Sequence, residues 1–221
     1  MISRFRDIHA LIFDFDGTLV DASVPICRAF NAALERFGAA PVAEERILGM
    51  IGRPLREMFP AILPAITTED IERLIDYYRV VFRPIGPLLS KPMPGLAAML
   101  NHFHPGTRLG IATSRMSDGA QQILGAMQFL NRFDIIIGLQ DVQNAKPHPE
   151  PVLKALEHLG VAPKHAIMIG DVPDDMQAGK RAGAFTVGMV SSRYPAEQLQ
   201  SDGADAVIHS LDELITLVER A

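Results

Sequence analysis

The feature that most constrains the fold is an apolar run at residues 11–13 that ends in two aspartates, Asp14 and Asp16. Continuous hydrophobicity of this kind is typical of a parallel strand that is buried on both faces. Residues two apart on an extended chain point to the same side, so both carboxylates can act on one small group. Gly17 follows and allows the backbone to turn. The pattern predicts a strand whose carboxyl end carries charge.

Two carboxylates at the end of a buried strand repel each other and lose hydration. They therefore need a cation, hydrogen-bond donors or a shared proton. The pair points to a metal ion. The pattern alone leaves a plainer interpretation open, in which one aspartate caps a turn and the other is solvated. Other parts of the chain must complete the site before the metal is favoured.

Composition indicates a globular protein with a small ligand. The 221 residues suffice for one domain with a large insertion or for two small domains, and 48% of them are hydrophobic. The net charge of −5 argues against nucleic acid or an anionic membrane as the main partner. A local group of lysines and arginines can still bind a small anion inside an acidic protein.

The single cysteine and the first residues fit a reducing compartment. Cys27 has no partner for an internal disulfide. Residues 1–9 carry three charges, and the apolar run behind them ends at Asp14, which fits neither a signal peptide nor a membrane span. We therefore expect a cytoplasmic protein, either a monomer or a homodimer. The seven histidines are scattered without zinc-ligand spacing, so no zinc site is expected.

Helical periodicity dominates the segment after residue 21. Apolar spacing predicts three helices, over residues 25–37, 43–50 and 68–82. Thr67 or Thr68 is the expected N-cap of the third. A proline- and glycine-rich stretch at residues 83–95 then predicts the border at which a helical insertion returns to the main domain.

From residue 94 onward strands alternate with helices. The predicted strands cover residues 108–112, 133–137, 166–169, 185–189 and 206–208. The predicted helices cover residues 96–103, 119–130 and 149–159, a segment ending at 182, and residues 211–220. Such repeated units predict an α/β fold with a doubly wound, Rossmann-like parallel sheet. We expect residues 1–20 and 88–221 to form this core and residues 21–87 to form an inserted α-helical cap domain.

Polar residues follow the ends of several predicted strands, where ligands bind in sheets of this kind. Each of them alone has an ordinary explanation as a helix cap or a surface charge. Their occurrence together favours one functional site. The residues concerned are Asp14, Asp16, Thr113, Ser114, Asp171 and, in a loop before a helix, Lys146.

Four motifs resemble those of the haloacid dehalogenase superfamily, in particular its phosphoglycolate phosphatase-like branch with a helical cap. They are DFDGTLVD at residues 14–21, IATS at 111–114, KPHP at 146–149 and GDVPDD at 170–175. Together they span nearly the whole chain, although the middle two are weak alone. The resemblance implies a phosphatase that forms an aspartyl-phosphate intermediate, uses Mg²⁺ and acts on a small phosphorylated metabolite.

By this resemblance two aspartates carry the chemistry. Asp14 would be the nucleophile. Asp16 would be the general acid that protonates the leaving oxygen and later activates water. The family's Mg²⁺ would be held by Asp14, the main-chain carbonyl of Asp16 and Asp171, with Asp175 supporting these ligands.

The same resemblance assigns the transferring phosphoryl oxygens to Thr113 and to the backbone amide of Ser114. Lys146 would orient the nucleophile. Elementary chemistry agrees with these roles, because phosphoryl transfer requires in-line positioning and neutralised oxygens more than unusual reagents. Mg²⁺ prefers oxygen ligands and few carboxylates.

Some positions separate this chain from its relatives. Dehalogenases of the superfamily lack the second aspartate, which is present here as Asp16. Phosphonatase-type members have a cap lysine near the position of residues 52–54, which read Gly-Arg-Pro. Val172 stands where a serine commonly follows the aspartate, and Asp174 adds a carboxylate. These two departures leave the metal ligand Asp171 in place.

The predicted cap offers cations for a second anionic group of the substrate. We hypothesise that Arg53, on the turn between two cap helices, contacts a substrate carboxylate or phosphate. Arg56 lies on the same turn, and Lys91 is a weaker candidate. Phosphoglycolate is the leading substrate by resemblance. Inorganic pyrophosphate, a small sugar phosphate and a nucleotide monophosphate stay open.

Two other functions also stay open. A phosphomutase similar to β-phosphoglucomutase would use the same Asp14 and Asp16 but return the phosphoryl group to a sugar. A receiver-like regulatory domain would accept phosphate on a strand-end aspartate from a partner protein. The cap insertion and Asp16 disfavour the receiver, since a receiver has no leaving alcohol to protonate.

Overall fold

The structure is a computed structural model that describes residue 5 and residues 7–219, so the N-terminal segment considered above lies mostly outside it. Six strands form one parallel sheet, and two form a short antiparallel ribbon. In chain order the strands are β1 (Ala10–Phe13), β2 (Val20–Asp21), β3 (Lys91–Pro92), β4 (Arg108–Ala112), β5 (Ile135–Ile137), β6 (Ala166–Gly170), β7 (Phe185–Met189) and β8 (Ala206–Ile208).

The parallel sheet has the order β5-β4-β1-β6-β7-β8. Helices accompany the strands throughout the described residues. They are α1 (Ser23–Arg36), α2 (Glu44–Leu48), α3 (Leu55–Ile62), α4 (Thr68–Leu89), α5 (Leu96–Phe103), α6 (Ser117–Ala126), α7 (Glu150–Leu159), α8 (Pro173–Ala182), α9 (Ala196–Ser201) and α10 (Glu213–Glu219). Within the described part of the chain, no helix is both long and apolar enough to span a membrane.

Strand β1 lies in the middle of the sheet, and all four of its residues are buried. It pairs with β4 on one side and with β6 on the other, so that Phe13 lies beside Ile111 and Ile169. Burial on both faces explains why its sequence is apolar without alternation. Because the three strands are parallel, the residues that follow them emerge at the same edge of the sheet.

Alternate residues of β1 point into two separate layers of the core. Leu11 and Phe13 belong to the layer that also contains helix α5, whereas Ala10 and Ile12 belong to the layer that contains helix α7. Helices therefore cover both faces of the sheet. This confirms the expected doubly wound α/β fold.

Helices α1 to α4 form one insertion between β2 and β3. The two strands close its base as a ribbon, with Val20 beside Pro92 and Asp21 beside Lys91. Inside the insertion the ring of Phe30 stacks on another ring, that of Phe59, with centroids 4.4 Å apart. The division into a core and a cap at residues 20/21 and 87/88 stays a prediction.

The predicted end of the third cap helix at Phe82 is wrong, because α4 continues to Leu89 through Pro84 and Pro87. Proline lacks an amide hydrogen and usually interrupts a helix. Here Pro84 is exposed, while Phe82 and Gly86 lie on the buried side of α4. Packing of this buried side keeps the helix intact beyond the prolines. The predicted border stretch is therefore largely helical.

Several other boundaries differ from the prediction. Helix α6 occupies 117–126 rather than 119–130, because the chain leaves it for a 3₁₀ turn at Leu130–Arg132. Strand β5 begins at 135 rather than 133, and α10 begins at 213 rather than 211. The predicted end of α10 at Arg220 lies outside the described residues. Helices α3 and α9 were not predicted, because they are short and bury few apolar residues.

Candidate active site

The carboxyl ends of β1, β4 and β6 place Asp14, Thr113 and Asp171 at one edge of the sheet. Their exposures are only 3%, 4% and 1%. The amide of Asp14 continues the sheet by donating to the carbonyl of Ile169 at 2.8 Å. The structure therefore brings these three predicted site residues together and removes them from bulk water.

Asp14, Asp171 and Asp175 form an acidic cluster. One carboxylate oxygen of each lies within 4.8 Å of the others, and all three residues are buried. Asp175 belongs to the first turn of α8, where its Oδ2 accepts a hydrogen bond from the Val172 amide at 3.2 Å. The Thr18 hydroxyl donates to Asp171 Oδ1 at 3.2 Å. Asp174 is not a member of this group.

Lys146 lies inside the acidic cluster as its internal cation. Its Nζ lies 2.5 Å from Asp14 Oδ1 and 2.6 Å from Asp175 Oδ1, and its side chain is 3% exposed. The loop that carries it is held by Glu150, whose carboxylate accepts the backbone amides of Gln143 and Asn144. These hydrogen bonds lower the pKa of Glu150 to about 2, with the Gln143 amide as the largest cause.

Two glycines allow the carboxylates to come this close. Gly17 has φ +95°, and a Cβ there would lie 2.4 Å from Asp171 Oδ2. A Cβ on Gly170 would lie 2.1 Å from Asp175 Oδ2. Any side chain at either position would collide with a carboxylate, so the glycines are required by the packing of the cluster.

Burial shifts the titration of the cluster. It raises the pKa of Asp14 to about 7, against the lowering effect of Lys146. It also raises the pKa of Asp171 to about 7, with a further increase from Asp14 and a decrease from Arg193. The pKa of Asp175 is raised as well, again mainly by burial. For Lys146, burial alone would lower the pKa, but the two neighbouring carboxylates raise it, so the lysine stays charged.

The cluster suits a divalent cation. Burial raises the pKa of Asp14 and Asp171 although Lys146 and Arg193 lower it, so a further cation would stabilise the ionised carboxylates. Carboxylate oxygens are the ligands that Mg²⁺ prefers. Asp175 accepts hydrogen bonds at both oxygens, from Lys146 and from the Val172 amide, and Asp171 does so from Thr18 and Arg193. Among the described residues Asp14 accepts only from Lys146, at Oδ1, so Asp14 is the carboxylate best placed to take a metal, and Asp171 would share its oxygens with its present donors. The oxygen donors therefore fit the predicted ion.

Asp16 is held by an arginine that the sequence analysis missed. Arg115 donates from Nε to Asp16 Oδ2 at 2.9 Å and from Nη2 to Asp16 Oδ1 at 2.7 Å. The guanidinium also lies over the ring of Phe82 in α4, 4.6 Å from its centroid. Arg115 directly follows the predicted Thr113-Ser114 pair in the same strand-end loop. This position is the sequence feature that could have identified it as a site residue.

A second missed arginine, Arg193, reaches the cluster from the loop after β7. Its Nη2 lies 2.9 Å from Asp171 Oδ2. Its Nη1 donates to main-chain carbonyls of the helical insertion, at Leu48 and Ile51. The signal for this residue was weak, because nothing in the local sequence around Arg193 marks it as a site residue. The one available signal was its position in the loop after β7, which ends at the same edge of the sheet as β1 and β6.

A cavity of about 660 Å³ lies between the sheet edge and the helical insertion. Asp14, Asp16, Thr113 and Ser114 line its inner end, and Arg53 lines it from the insertion. Thr113 Oγ1 accepts a hydrogen bond from the backbone amide of Arg115 at 3.1 Å. Arg53 is exposed; its amide donates to the Met50 carbonyl, whereas its guanidinium has no hydrogen bond or ion pair to the rest of the described chain.

A separate group of potential metal ligands lies at the opposite end of the sheet. Asp7, His9 and His165 come together there, although their sequence spacing did not suggest it. The two rings stack with centroids 5.0 Å apart, and Asp7 accepts a contact from each. The ion pairs and ring stacking within this group account for its arrangement. The group lies at the amino ends of β1 and β6, whereas Asp14 and Asp171 lie at the carboxyl ends of the same strands.

Known proteins resemble this chain over nearly its whole length. The family model of haloacid dehalogenase-like hydrolases matches residues 11–189. Pyrophosphatase PpaX from Anoxybacillus flavithermus is 31% identical over 213 residues, covering 96% of this chain and 97% of that protein. Phosphoglycolate phosphatase from Escherichia coli O157:H7 is 29% identical over 239 aligned residues, covering 97% of this chain and 94% of that protein.

Solved structures give the same result. A haloacid dehalogenase-like family hydrolase from Streptococcus pneumoniae has a TM-score of 0.83 at 26% identity, covering 95% of this chain and 98% of that chain. A predicted phosphatase from Clostridium acetobutylicum has a TM-score of 0.86 at 27% identity, covering 97% and 99%. These matches confirm the superfamily, the fold and the enzyme class, a phosphatase, that the sequence led us to expect. The chain belongs to the haloacid dehalogenase-like hydrolase family.

Proposed function

We propose that this hydrolase is a Mg²⁺-dependent phosphatase that cleaves a small phosphate monoester through an aspartyl-phosphate. The observation that carries the proposal is the buried group of Asp14, Lys146 and Asp171, in which Asp14 lines the cavity. A carboxylate nucleophile divides hydrolysis into two easier steps. The buried cations offset the charge that a phosphate dianion brings to a site of three carboxylates.

In the first step, Asp14 attacks phosphorus. The new bond joins a carboxylate oxygen to phosphorus, while the bond from phosphorus to the leaving oxygen breaks. Asp16, which must open one of its two hydrogen bonds from Arg115 to carry a proton, gives that proton to the leaving oxygen. In the second step Asp16 takes a proton from water, which attacks phosphorus and frees the Asp14 carboxylate. One side chain thus serves both steps by reversing its proton role.

Other residues position the phosphoryl group and the nucleophile. Lys146 fixes the orientation of the Asp14 carboxylate through its 2.5 Å contact. Thr113 and the Ser114 amide hold the phosphoryl oxygens. Mg²⁺ would be held by Asp14, Asp171 and the main-chain carbonyl of Asp16, with Asp175 supporting them, and when bound it neutralises the phosphate charge.

We further propose that residues 21–87 act as a cap over the site, with Arg53 reaching the distal end of the substrate. Closure of such a cap excludes bulk water from the reaction. Phosphoglycolate is the leading substrate. Inorganic pyrophosphate is the second candidate, since one of the relatives is named for that activity. Both molecules carry a second anionic group next to the scissile bond.

A panel of small phosphate esters and pyrophosphate tests the proposal. Purified protein with Mg²⁺ is expected to release inorganic phosphate, EDTA is expected to stop the release, and Asp14→Asn is expected to abolish it. Formation of glucose 6-phosphate from β-glucose 1-phosphate, without phosphate release, would instead identify a phosphomutase. Release of phosphate by Asp14→Asn at the wild-type rate would disprove the assigned nucleophile.

A further inference from the structure

We propose that Arg115 is the residue that recognises a second anionic group on the leaving side of the substrate. This inference rests on the proposed phosphatase function and assigns its substrate class. That class comprises short phosphorylated acids and pyrophosphate, in which a carboxylate or phosphate lies close to the scissile oxygen. Arg53 in the cap would then be an outer contact rather than the main determinant.

Arg115 has hydrogen-bond donors that no described residue uses. A guanidinium carries five N–H groups in a fixed plane. Asp16 takes one from Nε and one from Nη2. Among the described residues, the other three, two on Nη1 and one on Nη2, have no hydrogen-bond partner. One N–H of Nη1 and the free N–H of Nη2 form a second edge of the guanidinium, which suits a carboxylate or phosphate.

Arg115 is held in place by its neighbours and is largely removed from water. Its side chain is 11% exposed. The guanidinium lies between aromatic rings, 5.7 Å from the centroid of Phe15 and 4.6 Å from that of Phe82. An arginine fixed in this way loses little conformational entropy when it binds an anion. It also interacts more strongly than an exposed arginine, since water screens it less.

The position of Arg115 beside Asp16 limits how far the second anion can lie from the scissile bond. Arg115 is bonded directly to Asp16, the residue proposed to protonate the leaving oxygen. An anion on the free edge of the guanidinium is therefore close to that oxygen. The geometry favours a second charge one or two atoms away from the scissile bond. Substrates with the charge at the end of a longer chain would place it beyond this edge.

The other arginines of the cavity are less suited to this role. Arg79 and Arg83 are engaged with Asp76 and Asp118, and both are well exposed. The Arg53 guanidinium has no partner among the described residues but is exposed to water. Water weakens the interaction of such exposed cations with an anion. Arg115 is the arginine at the inner end of the cavity, beside Asp14 and Asp16.

The test compares kcat/KM for phosphoglycolate and pyrophosphate with that for ethyl phosphate, which lacks the second anion. Wild-type enzyme is expected to prefer at least one anionic substrate by about 100-fold, and Arg115→Gln to lower this ratio at least tenfold. Arg115→Lys is expected to keep part of the preference. The matched control, Arg73→Gln, removes a surface arginine of α4 and is expected to keep the whole ratio. The preferred anionic substrate shows whether the Arg115 guanidinium binds a carboxylate or a phosphate.

A ratio that Arg115→Gln leaves unchanged, or that Arg53→Gln collapses instead, would overturn the inference while leaving the phosphatase function intact. The same holds if the phosphate ester of 4-hydroxybutyrate, which carries its carboxylate at the end of a longer chain, is hydrolysed better than both phosphoglycolate and pyrophosphate. If no ester is hydrolysed, the proposed function fails, and binding then decides the inference. Phosphonoacetate is expected to bind wild-type protein more tightly than ethylphosphonate, with the difference lost in Arg115→Gln. Equal binding of both would overturn it.

Discussion

Arg193 links Asp171 to the helical insertion. Its Nη2 lies 2.9 Å from Asp171 Oδ2, while its Nη1 donates to the carbonyls of Leu48 and Ile51. The neighbouring Gly52 lies against the core, because a Cβ there would be 3.2 Å from Val172 Cγ1. One side chain of the core therefore contacts both the acidic cluster and the turn that carries the predicted substrate contact.

Arg193→Gln is expected to loosen this turn, because the glutamine is too short to contact both partners. Amide hydrogen exchange at residues 48–53 should become about five- to tenfold faster, and KM should rise. Arg73→Gln on the surface of α4 serves as the control and should leave exchange at the turn as it is. Unchanged exchange in Arg193→Gln would show that the turn is held by other contacts.

The metal-free protein is expected to lose stability as the pH rises from about 4 to about 7. The pKa values of Asp14 and Asp171 are raised to about 7 in the folded state, from an ordinary value of 3.8. In this interval the unfolded chain has already lost protons that the folded chain retains, so ionisation favours unfolding. Above about pH 7 both states have lost these protons, so the loss of stability from Asp14 and Asp171 no longer increases.

Urea unfolding in EDTA at several pH values checks this prediction. Asp171→Asn should flatten the pH dependence and stabilise the metal-free protein near pH 8 by about 1 to 3 kcal/mol. Added Mg²⁺ should stabilise the wild type increasingly over the same interval, because the ion binds the ionised carboxylates. A free energy of unfolding that rises with pH in EDTA would contradict the assignment of the cause to buried carboxyl groups.

Glu150→Gln is expected to lower kcat about tenfold with a smaller effect on KM. Glu150 accepts the backbone amides of Gln143 and Asn144 and so holds the loop that delivers Lys146. Without the charge these bonds weaken, and the lysine is less well placed against Asp14. Glu157→Gln, an exposed residue of the same helix, is the control. If kcat is the same in Glu150→Gln and Glu157→Gln, Glu150 does not position Lys146.

Gly86→Ala is expected to disturb the site from a distance. A Cβ at Gly86 would lie 2.4 Å from the Phe82 ring, and that ring lies over the Arg115 guanidinium. The ring must move, so the variant should lose about 1 to 3 kcal/mol of stability and part of the preference for anionic substrates. Gly125→Ala in α6 has open space and should stabilise the protein by about 0.5 to 1 kcal/mol. If the two variants had the same stability and the same preference for anionic substrates, Gly86 would not be needed to seat the Phe82 ring over Arg115.

The sequence was sufficient to predict the sheet and the residues at its strand ends. Asp14, Thr113 and Asp171 could be placed at one edge because parallel strands give each strand end a fixed direction. Lys146 could be added because its loop precedes a helix on the same side. These predictions depend only on local pattern and on the rules of strand connection.

The ion pairs of Arg115 and Arg193 could not be predicted in the same way. Each pair joins residues far apart in sequence, Asp16 with Arg115 and Asp171 with Arg193, and depends on how loops approach across the site. The end of α4 was missed for a related reason, because tertiary packing overrides the local preference of proline. Local pattern contains no record of such contacts.

The central role in the proposed reaction is that of Asp14 as the nucleophile. Wild-type protein should be mixed with Mg²⁺ and excess phosphoglycolate or pyrophosphate, quenched during turnover, and treated with borohydride, which reduces an acyl phosphate to an alcohol. Mass spectrometry of the peptide that contains both Asp14 and Asp16 should then find homoserine at position 14 and unmodified aspartate at position 16. Unmodified Asp14 in protein that has turned over substrate, or homoserine at another aspartate, would contradict the account.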